Sequence, residues 1–516
     1  MRENNTSGLK TEKVEEEKTR SVRLKRINRE QMVLRPMDVE RLVSEDHEVR
    51  AIWEFVGRLD LGRYDEAIEV MDGEAGRPAL DPRLMISLWI YGYSKGVSSG
   101  REISRLCEYD PAYQWLTGLE GVNHHSLSDF RVRHKEALDE LFVQVLGLLS
   151  AEGLISLERV MHDGTKVKAY ASADTFRREQ RVRAHLEVAR QQVERMGDPR
   201  TAEEVSPRVA KARQRAAREK QQRLEEALRE LEKIRASKSS LEEKQEARVS
   251  LSDPESRVMK QGGGGGYGPS YNLQVSTDAG HKIIVGVGVT QAGADYEQLK
   301  DAERRIEDNL GRPAEQLVVD GGFVSRDNIL AMIARGVELI GPLEEGVAQS
   351  AGQMKRRGVE RAFYPDRFEY DATTDTYGCP AGKRLRLTGK EKRVGKTNYQ
   401  YRASPQECEV CRSKPQCCPQ NGTKGRAIVR AEEAPEVIGF KAKMETEEAK
   451  AIYRRRGEVA EFPNAWLKEK IRLRQFRLRG LLKVGMEALW ACLAYNLQQW
   501  IRLCWRPRWK GVMEPR

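Results

Sequence analysis

The chain has 516 residues, 90 of them Lys or Arg against 79 Asp or Glu, for a formal charge of +11. That is too long for a single core to be the default, so two to four modules are expected, and the charge balance suits a polyanionic partner. No stretch approaches the ~20 apolar residues that cross a bilayer, and the N-terminus is charged from Arg2 onward, unlike a signal peptide. A soluble, cytoplasmic protein is expected. In that compartment the eight cysteines are not expected to form a disulfide framework, and clustered ones are read as metal ligands first.

Residues 1–35 mix both signs of charge with few apolar positions, the pattern of a loosely held arm. From residue 36 to 152 the spacing is helical: Ile52, Phe55 and Leu59, then Leu84, Ser87, Leu88 and Tyr91, recur at three and four residues. Within this domain, Arg101 to Trp115 followed by His124 to Arg131 reads as a helix-turn-helix or an ordinary bundle, with Arg131 and Arg133 facing phosphate in the first case. Leu157 to Tyr170, Tyr271 to Ser276, Lys282 to Thr290 and Leu317 to Val319 are rich in β-formers, and Ile283 to Val287 has the continuous apolar character of a buried strand.

Between the first two strands, Thr175 to Val249 carries Leu186, Ala189, Val193 and Met196, then Leu224, Leu228, Leu231 and Ile234, at helical spacing. Gly197-Asp198-Pro199 turns the chain between them, so a helical hairpin is expected. A solvated spacer, a DNA contact and a subunit contact all remain open for it. The glycines from Gly262 to Gly266 precede a strand instead of opening a helix after one, which excludes a dinucleotide site and leaves a flexible return to the sheet.

Three acids stand out. Asp163 lies among β-formers, Asp320 ends Leu317-Val318-Val319 at the carboxyl end of a short strand and is followed by Gly321-Gly322, and Glu461 precedes Lys468 by seven residues, the same face of a helix. Pro463 complicates that helix and is tolerated in a first turn, so a start near Glu461 is predicted, with Tyr453 and Arg456 reaching in from the preceding segment. Glu458 is the competing third acid, but only Glu461 has the lysine seven residues on.

Val160 to Ser172, Ser252-Asp253-Pro254-Glu255-Ser256-Arg257, Tyr271-Asn272-Leu273-Gln274-Val275, Val319-Asp320-Gly321-Gly322-Phe323, Phe476-Arg477-Leu478-Arg479-Gly480, and the Tyr453, Arg456, Glu461, Lys468 series resemble the DDE transposases of bacterial insertion sequences. With the helical N-terminal domain, the resemblance spans roughly residues 36 to 500. It departs at Gly457, where many relatives in the broader group carry the arginine four residues before the glutamate. The resemblance implies an α/β fold: a ribonuclease-H-like mixed sheet with flanking helices (153–174, 261–345, 446–503). An all-α, DNA-binding domain precedes it, and a hairpin insertion (175–260) and a cysteine-rich insertion (346–445) interrupt it.

It further implies two Mg2+ or Mn2+ ions, with Asp163 as bridging ligand and Asp320 and Glu461 as outer ones, phosphate contacts from Tyr453, Arg456 and Lys468, and a homodimer pairing two DNA ends. Carboxylate oxygens suit such hard cations.

From Trp466 to Arg516, 12 basic and 3 acidic residues put +9 into a 51-residue tail. Lys470, Arg472, Arg474, Arg477, Arg479 and Lys483 are expected on duplex DNA, with sequence-independent phosphate contacts. Trp466 is read as a core residue, with stacking on an extruded base as the alternative. Trp490, Leu493, Leu497 and Trp500 fit a core-facing helix, and Trp505 to Lys510 reads as an exposed basic, aromatic tail.

Cys379, Cys408, Cys411 and either Cys417 or Cys418 have the pair-plus-outliers pattern of tetrahedral zinc, in a segment with so little apolar sequence that a metal is expected to supply its fold. Cys107, Cys492 and Cys504 read as isolated small hydrophobes. The function expected is cleavage and joining of DNA. The rivals are a transposase-derived DNA-binding protein without strand transfer and a metal-dependent nuclease of the same core.

Overall fold

The computed structural model describes residues 28–32, 36–66, 68, 78–197, 206–261, 266–343, 351–420 and 424–508. Most of the charged arm, the turn after Gly197, nearly all of the glycine run and the end of the basic tail lie outside the described residues.

Among the described residues, six helices of seven residues or more come first: α1 (Glu48–Val56), α2 (Pro82–Ser94), α3 (Gly100–Tyr109), α4 (Pro111–Thr117), α5 (His124–Arg133) and α6 (Lys135–Ala151). Their starts are capped locally. Asp81, Ser99, Asp110 and Asn123 each accept a backbone N–H of the first turn, and Pro82 and Pro111 occupy positions that need no donor. In α5, Leu127 and Arg131 are one turn apart and both buried. This corrects the expectation that Arg131 faces phosphate: its guanidinium lies 4.7 Å over the Trp89 ring and donates to the Ser98 carbonyl at 2.7 Å. Arg133, on the outer face, pairs with Asp129.

The sheet that follows has β1 (Arg159–Lys168), β2 (Arg257–Lys260), β3 (Tyr267–Asp278), β4 (Ile284–Thr290), β5 (Gln316–Val318) and β6 (Glu338–Ile340). The order is β2-β3-β1-β5-β6, with β4 also paired to β3. Strands β4, β3 and β1 run antiparallel, whereas β1, β5 and β6 run parallel. Two long helices, α7 (Glu179–Gly197) and α8 (Pro207–Ala236), stand between β1 and β2. They close on Val182, Leu186, Ala189, Leu224, Ala227 and Leu231, and a short pairing of Phe176–Arg177 with Val249–Ser250 ties their base. α9 (Leu299–Leu310) and α10 (Arg326–Ala334) follow the sheet strands β4 and β5.

Residues 369–433 build a second, five-stranded antiparallel sheet from β7 (Glu369–Asp371), β8 (Thr376–Gly378), β9 (Arg384–Arg393), β10 (Lys396–Ala403) and β11 (Ala427–Glu433). Leu385, Tyr401 and Ile428 on one face pack with Met354, Phe363 and Phe368. The expectation that this segment lacks an apolar core is thereby corrected. Its apolar residues are spread thinly among Arg and Lys, and only the strand alternation gathers them on one side.

The chain ends in α11 (Pro435–Met444), α12 (Glu447–Arg454), α13 (Arg456–Glu469) and α14 (Leu481–Trp500). α14 is buried on nearly every face from Val484 to Trp500 and shares one core with both the N-terminal helices and the sheet. Its buried polar groups make specific bonds, Gln499 Nε2 excepted. Trp490 Nε1 donates to the Arg131 carbonyl, Trp500 Nε1 to Glu152, and Asn496 brackets both backbone groups of Ile284 at 2.9 and 2.8 Å. Trp505, expected in an exposed tail, is 3% exposed, and its Nε1 donates to Glu54 at 3.0 Å. Helical winding simply continues past Trp500 and turns that ring onto α1. Among the described residues no helix is long and apolar enough to cross a membrane.

Glu487 is fully buried and accepts the N–H groups of Arg477 and Leu478 at 2.9 to 3.1 Å. Glu487→Ala strands both donors and should cost about 2–4 kcal/mol, read as a lower midpoint in denaturant unfolding. Glu487→Gln keeps an acceptor and should cost clearly less.

Candidate active site

The paired register of β1 and β5 runs Arg159 to Gln316, Val160 to Leu317 and Met161 to Val318. Carried two residues further, it sets Asp163 beside Asp320, where the backbone is still extended, on strands that pair ~4.8 Å apart. Strand alternation gives both acids the face of Met161 and Val318. That face is covered by Ile452 of α12 and by Val459 and Ala460 of α13.

α13 therefore crosses the sheet above the acid pair. Asn464 Nδ2 donates to Asp163 Oδ2 at 3.0 Å, Arg456 Nη1 stands 3.7 Å from Asp163 Oδ1, and Lys468 Nζ donates to Thr165 Oγ1. Thr165 is two residues beyond Asp163 on the same face. Pro463 lies inside this helix, which begins at Arg456. The predicted start near Glu461 is corrected, because burial of Val459, Ala460, Pro463 and Leu467 holds a continuous helix across the proline. Arg456 consequently sits on the same helix as Glu461, while Tyr453, in the last turn of α12, has its ring 6.0 Å from the Arg456 guanidinium.

Glu461 is exposed on α13, one turn beyond Gly457. A Cβ on Gly457 would stand 3.5 Å from Glu461 Oε1, an ordinary contact. Glu458 is also exposed. Asp320 accepts the Gly322 N–H at 2.9 Å, and Gly322 permits it, since a Cβ there would stand 3.1 Å from Asp320 Oδ1.

Burial pushes the Asp163 carboxyl up to about 6; the Arg456 guanidinium opposes this and the Asp320 charge adds to it. Burial also lowers the Lys468 ammonium, against the pull of Asp163. Arg456 Nη1 and Asn464 Oδ1 are buried without hydrogen-bond partners. A poorly compensated carboxylate pair with orphaned polar atoms beside it suits a hard cation, for which Asp163 and Asp320 supply oxygen ligands. Asp295, held by Lys166 and Asn272, also acts on Asp163, and Glu461 lies on α13 above them. Among the described residues no three His, Cys, Asp or Glu side chains already converge on one ion position.

His162 points through the opposite face, fully buried between Ser276 Oγ and Gln274 Oε1 at 2.9 and 2.8 Å, and burial lowers it to about 4. It is a neutral core residue. Trp466 is bonded to Gln498 Oε1 at 2.6 Å and set edge-on to Tyr495, which is the core reading.

Lys470, Arg472, Arg474, Arg477, Arg479 and Lys483 are exposed. Arg474 pairs with Glu469, and Arg479 lies 4.8 Å over Tyr170. Arg472 has φ +62° and packs its methylenes on Gly96. All but Lys483, which lies on α14, fall between residues 470 and 479, where Gln475 bridges to Lys168 at the end of β1.

Asn464 and Thr165 were not singled out in the sequence. Asn464, three residues after Glu461 and four before Lys468, carried a usable signal in that spacing. Thr165 carried none until α13 was placed over β1.

Cys379 and Cys408 pack against the small core that holds Cys417 and Cys418, whereas Cys411 sits one turn beyond Cys408. Burial pushes the Cys417 thiol up to about 12, and the adjacent thiols contribute.

Residues 37–133 match a family model described as a transposase domain, and residues 378–501 one described as a transposase DDE domain. Each match spans less than half of the chain, and both models describe transposase domains. The second match contains Tyr453, Arg456, Glu461 and Lys468; Asp163 and Asp320 fall in neither. No curated protein matches the chain. Among solved structures, a piggyBac transposase synaptic complex with hairpin DNA aligns over 92% of this chain and 75% of that one, at 9% identity and a TM-score of 0.28. That likeness is too low to bear on fold or mechanism.

A carboxyl whose folded pKa stands above its unfolded value holds stability at low pH and loses it as pH rises, here between about 4 and about 6. In metal-free protein, Asp163→Asn should therefore raise the unfolding midpoint at neutral pH, by up to ~3 kcal/mol, and change nothing near pH 4. Adding Mg2+ at neutral pH should stabilise wild type more than the variant. Equal responses in thermal unfolding would count against Asp163 as a ligand.

Proposed function

We propose that the chain is a DNA transposase that binds the ends of an insertion sequence and catalyses metal-dependent strand cleavage and strand transfer, with Asp163, Asp320 and Glu461 as the acidic triad. The observation that carries this is the level placement of Asp163 and Asp320 on adjacent parallel strands beneath the helix bearing Glu461. The antiparallel β4-β3-β1 set followed by parallel β5 and β6 supports a ribonuclease-H-like core, interrupted by the α7–α8 hairpin and by the cysteine-bearing sheet. Two Mg2+ or Mn2+ ions held there would activate the attacking oxygen and stabilise the leaving one in line.

The protein groups have separable tasks. Asn464 orients Asp163. Arg456 offers a guanidinium fork and Lys468 a point charge to the phosphates flanking the scissile bond. Tyr453 supports Arg456 from below. The loop from Lys470 to Arg479, with Lys483, holds duplex backbone, and the N-terminal helices add DNA-binding surface. Pairing two ends calls for a homodimer.

The test uses labelled DNA carrying the element's ends, with Mg2+ or Mn2+. Asp163→Asn, Asp320→Asn and Glu461→Gln should each reduce cleavage by about a hundredfold or more, the scale of removing one group aimed at developing charge, with DNA binding kept. Wild type that binds without cutting favours a DNA-binding relic, and cutting without joining favours a nuclease. Full activity in Glu461→Gln with loss in Glu458→Gln moves the third acid to Glu458.

For the thiols, we propose a structural zinc on Cys379, Cys408, Cys411 and either Cys417 or Cys418. Elemental analysis of the purified chain should find one zinc per chain. Cys408→Ser should lose it and lower the unfolding midpoint, and zinc-free wild type of unchanged stability would reject the site.

A further inference from the structure

The α7–α8 hairpin divides into two halves of different charge. Residues 207–223 of α8 hold seven Lys or Arg and one Glu, whereas residues 224–236 hold three Lys or Arg and four Glu. The proximal half is internally neutralised and welded down. Glu230, fully buried, pairs with Lys233 and Arg257, Arg229 pairs with Glu226, and Arg235 with Glu179.

The distal half is different. Arg208, Lys211, Arg215 and Arg218 follow at spacings of three, four and three, which places them on one stripe of the helix. Ala217 and Leu224 mark the side turned toward α7. At 100° per residue the four cations lie on the far side from it, and all four are exposed with no ion pair among the described residues. At 1.5 Å per residue the stripe covers ~15 Å, the length of four to five base pairs of a duplex strand at ~3.4 Å each.

We propose that the outer face of α8 is a DNA-backbone contact, in which Arg208, Lys211, Arg215 and Arg218 neutralise consecutive phosphates of one duplex. The inference rests on the reading that this chain handles DNA, and adds a second contact surface separate from the loop at Lys470–Arg479. Like charges three and four residues apart destabilise an isolated helix, so four aligned cations without partners are matched by an external polyanion. Contacts made to phosphates alone carry no sequence information, so this one is indifferent to sequence.

The experiment compares full-length wild type, the quadruple variant Arg208→Gln, Lys211→Gln, Arg215→Gln, Arg218→Gln, and the control Arg229→Gln, whose charge is already paired. Binding to a labelled random-sequence duplex is followed against salt by fluorescence anisotropy, with circular dichroism confirming retained helix content. The quadruple variant should flatten the log–log salt slope by about two to four, and the control should leave it unchanged. A quadruple variant with the wild-type slope overturns the inference and leaves the transposase reading intact, and if its oligomeric state also changes, the stripe belongs to a contact between copies. Wild type without affinity for duplex DNA overturns both.

Discussion

Everything in this molecule hangs on α14. Its twenty residues are apolar on nearly every face, so it can only exist inside other layers. The N-terminal helices cover one side and β4 of the sheet the other, which is why their apolar residues form a single cluster instead of two. The few polar groups on α14 then do the alignment. Trp490 and Trp500 reach the N-terminal helices, Asn496 fixes the edge strand at Ile284, Gln498 holds Trp466 of α13, and Glu487 holds the basic loop. A buried polar group without its partner is costly, so each bond specifies a relative position that apolar contact alone would leave loose.

The acidic site inherits that precision. α13 must lie across β1 for Asn464 and Arg456 to reach Asp163, and α13 is tied to α14 through Trp466. The basic loop is fixed from below by Glu487 and from the side by Asp253 and Glu255, which accept the N–H groups of Gly480 and Leu481. Two carboxylates on neighbouring strands in a half-buried setting are electrostatically unfavourable when both are ionised. The fold tolerates that cost at Asp163, the pattern expected where a site is built for a positively charged occupant.

Much of this was legible in the chain. The 3.6-residue spacing marks the N-terminal helices and the hairpin, the apolar run at Ile283 to Val287 marks a buried strand, and Asp320 before two glycines marks a strand end. Other features were not. Arg131 reads as a surface cation until Trp89 is placed beneath it. Pro463 reads as a helix start because local rules cannot see the burial that carries a helix through it. Trp505 reads as tail because the sequence does not say that winding continues past Trp500. The second sheet was hidden for another reason: its core residues are few, and they converge on one face only when successive strands pair as a meander.

By itself, then, the sequence determined which segments wind or extend, where the charge lies and which acids and thiols are available, because periodicity, capping and composition act over neighbouring residues. Tertiary structure alone decided that Asp163 and Asp320 stand level, that Asn464 and Thr165 attend them, and that Arg131 and Trp505 turn inward. Those facts depend on strand register and on tertiary burial, which bring together residues separated by tens to hundreds of positions, and no local pattern encodes such distances.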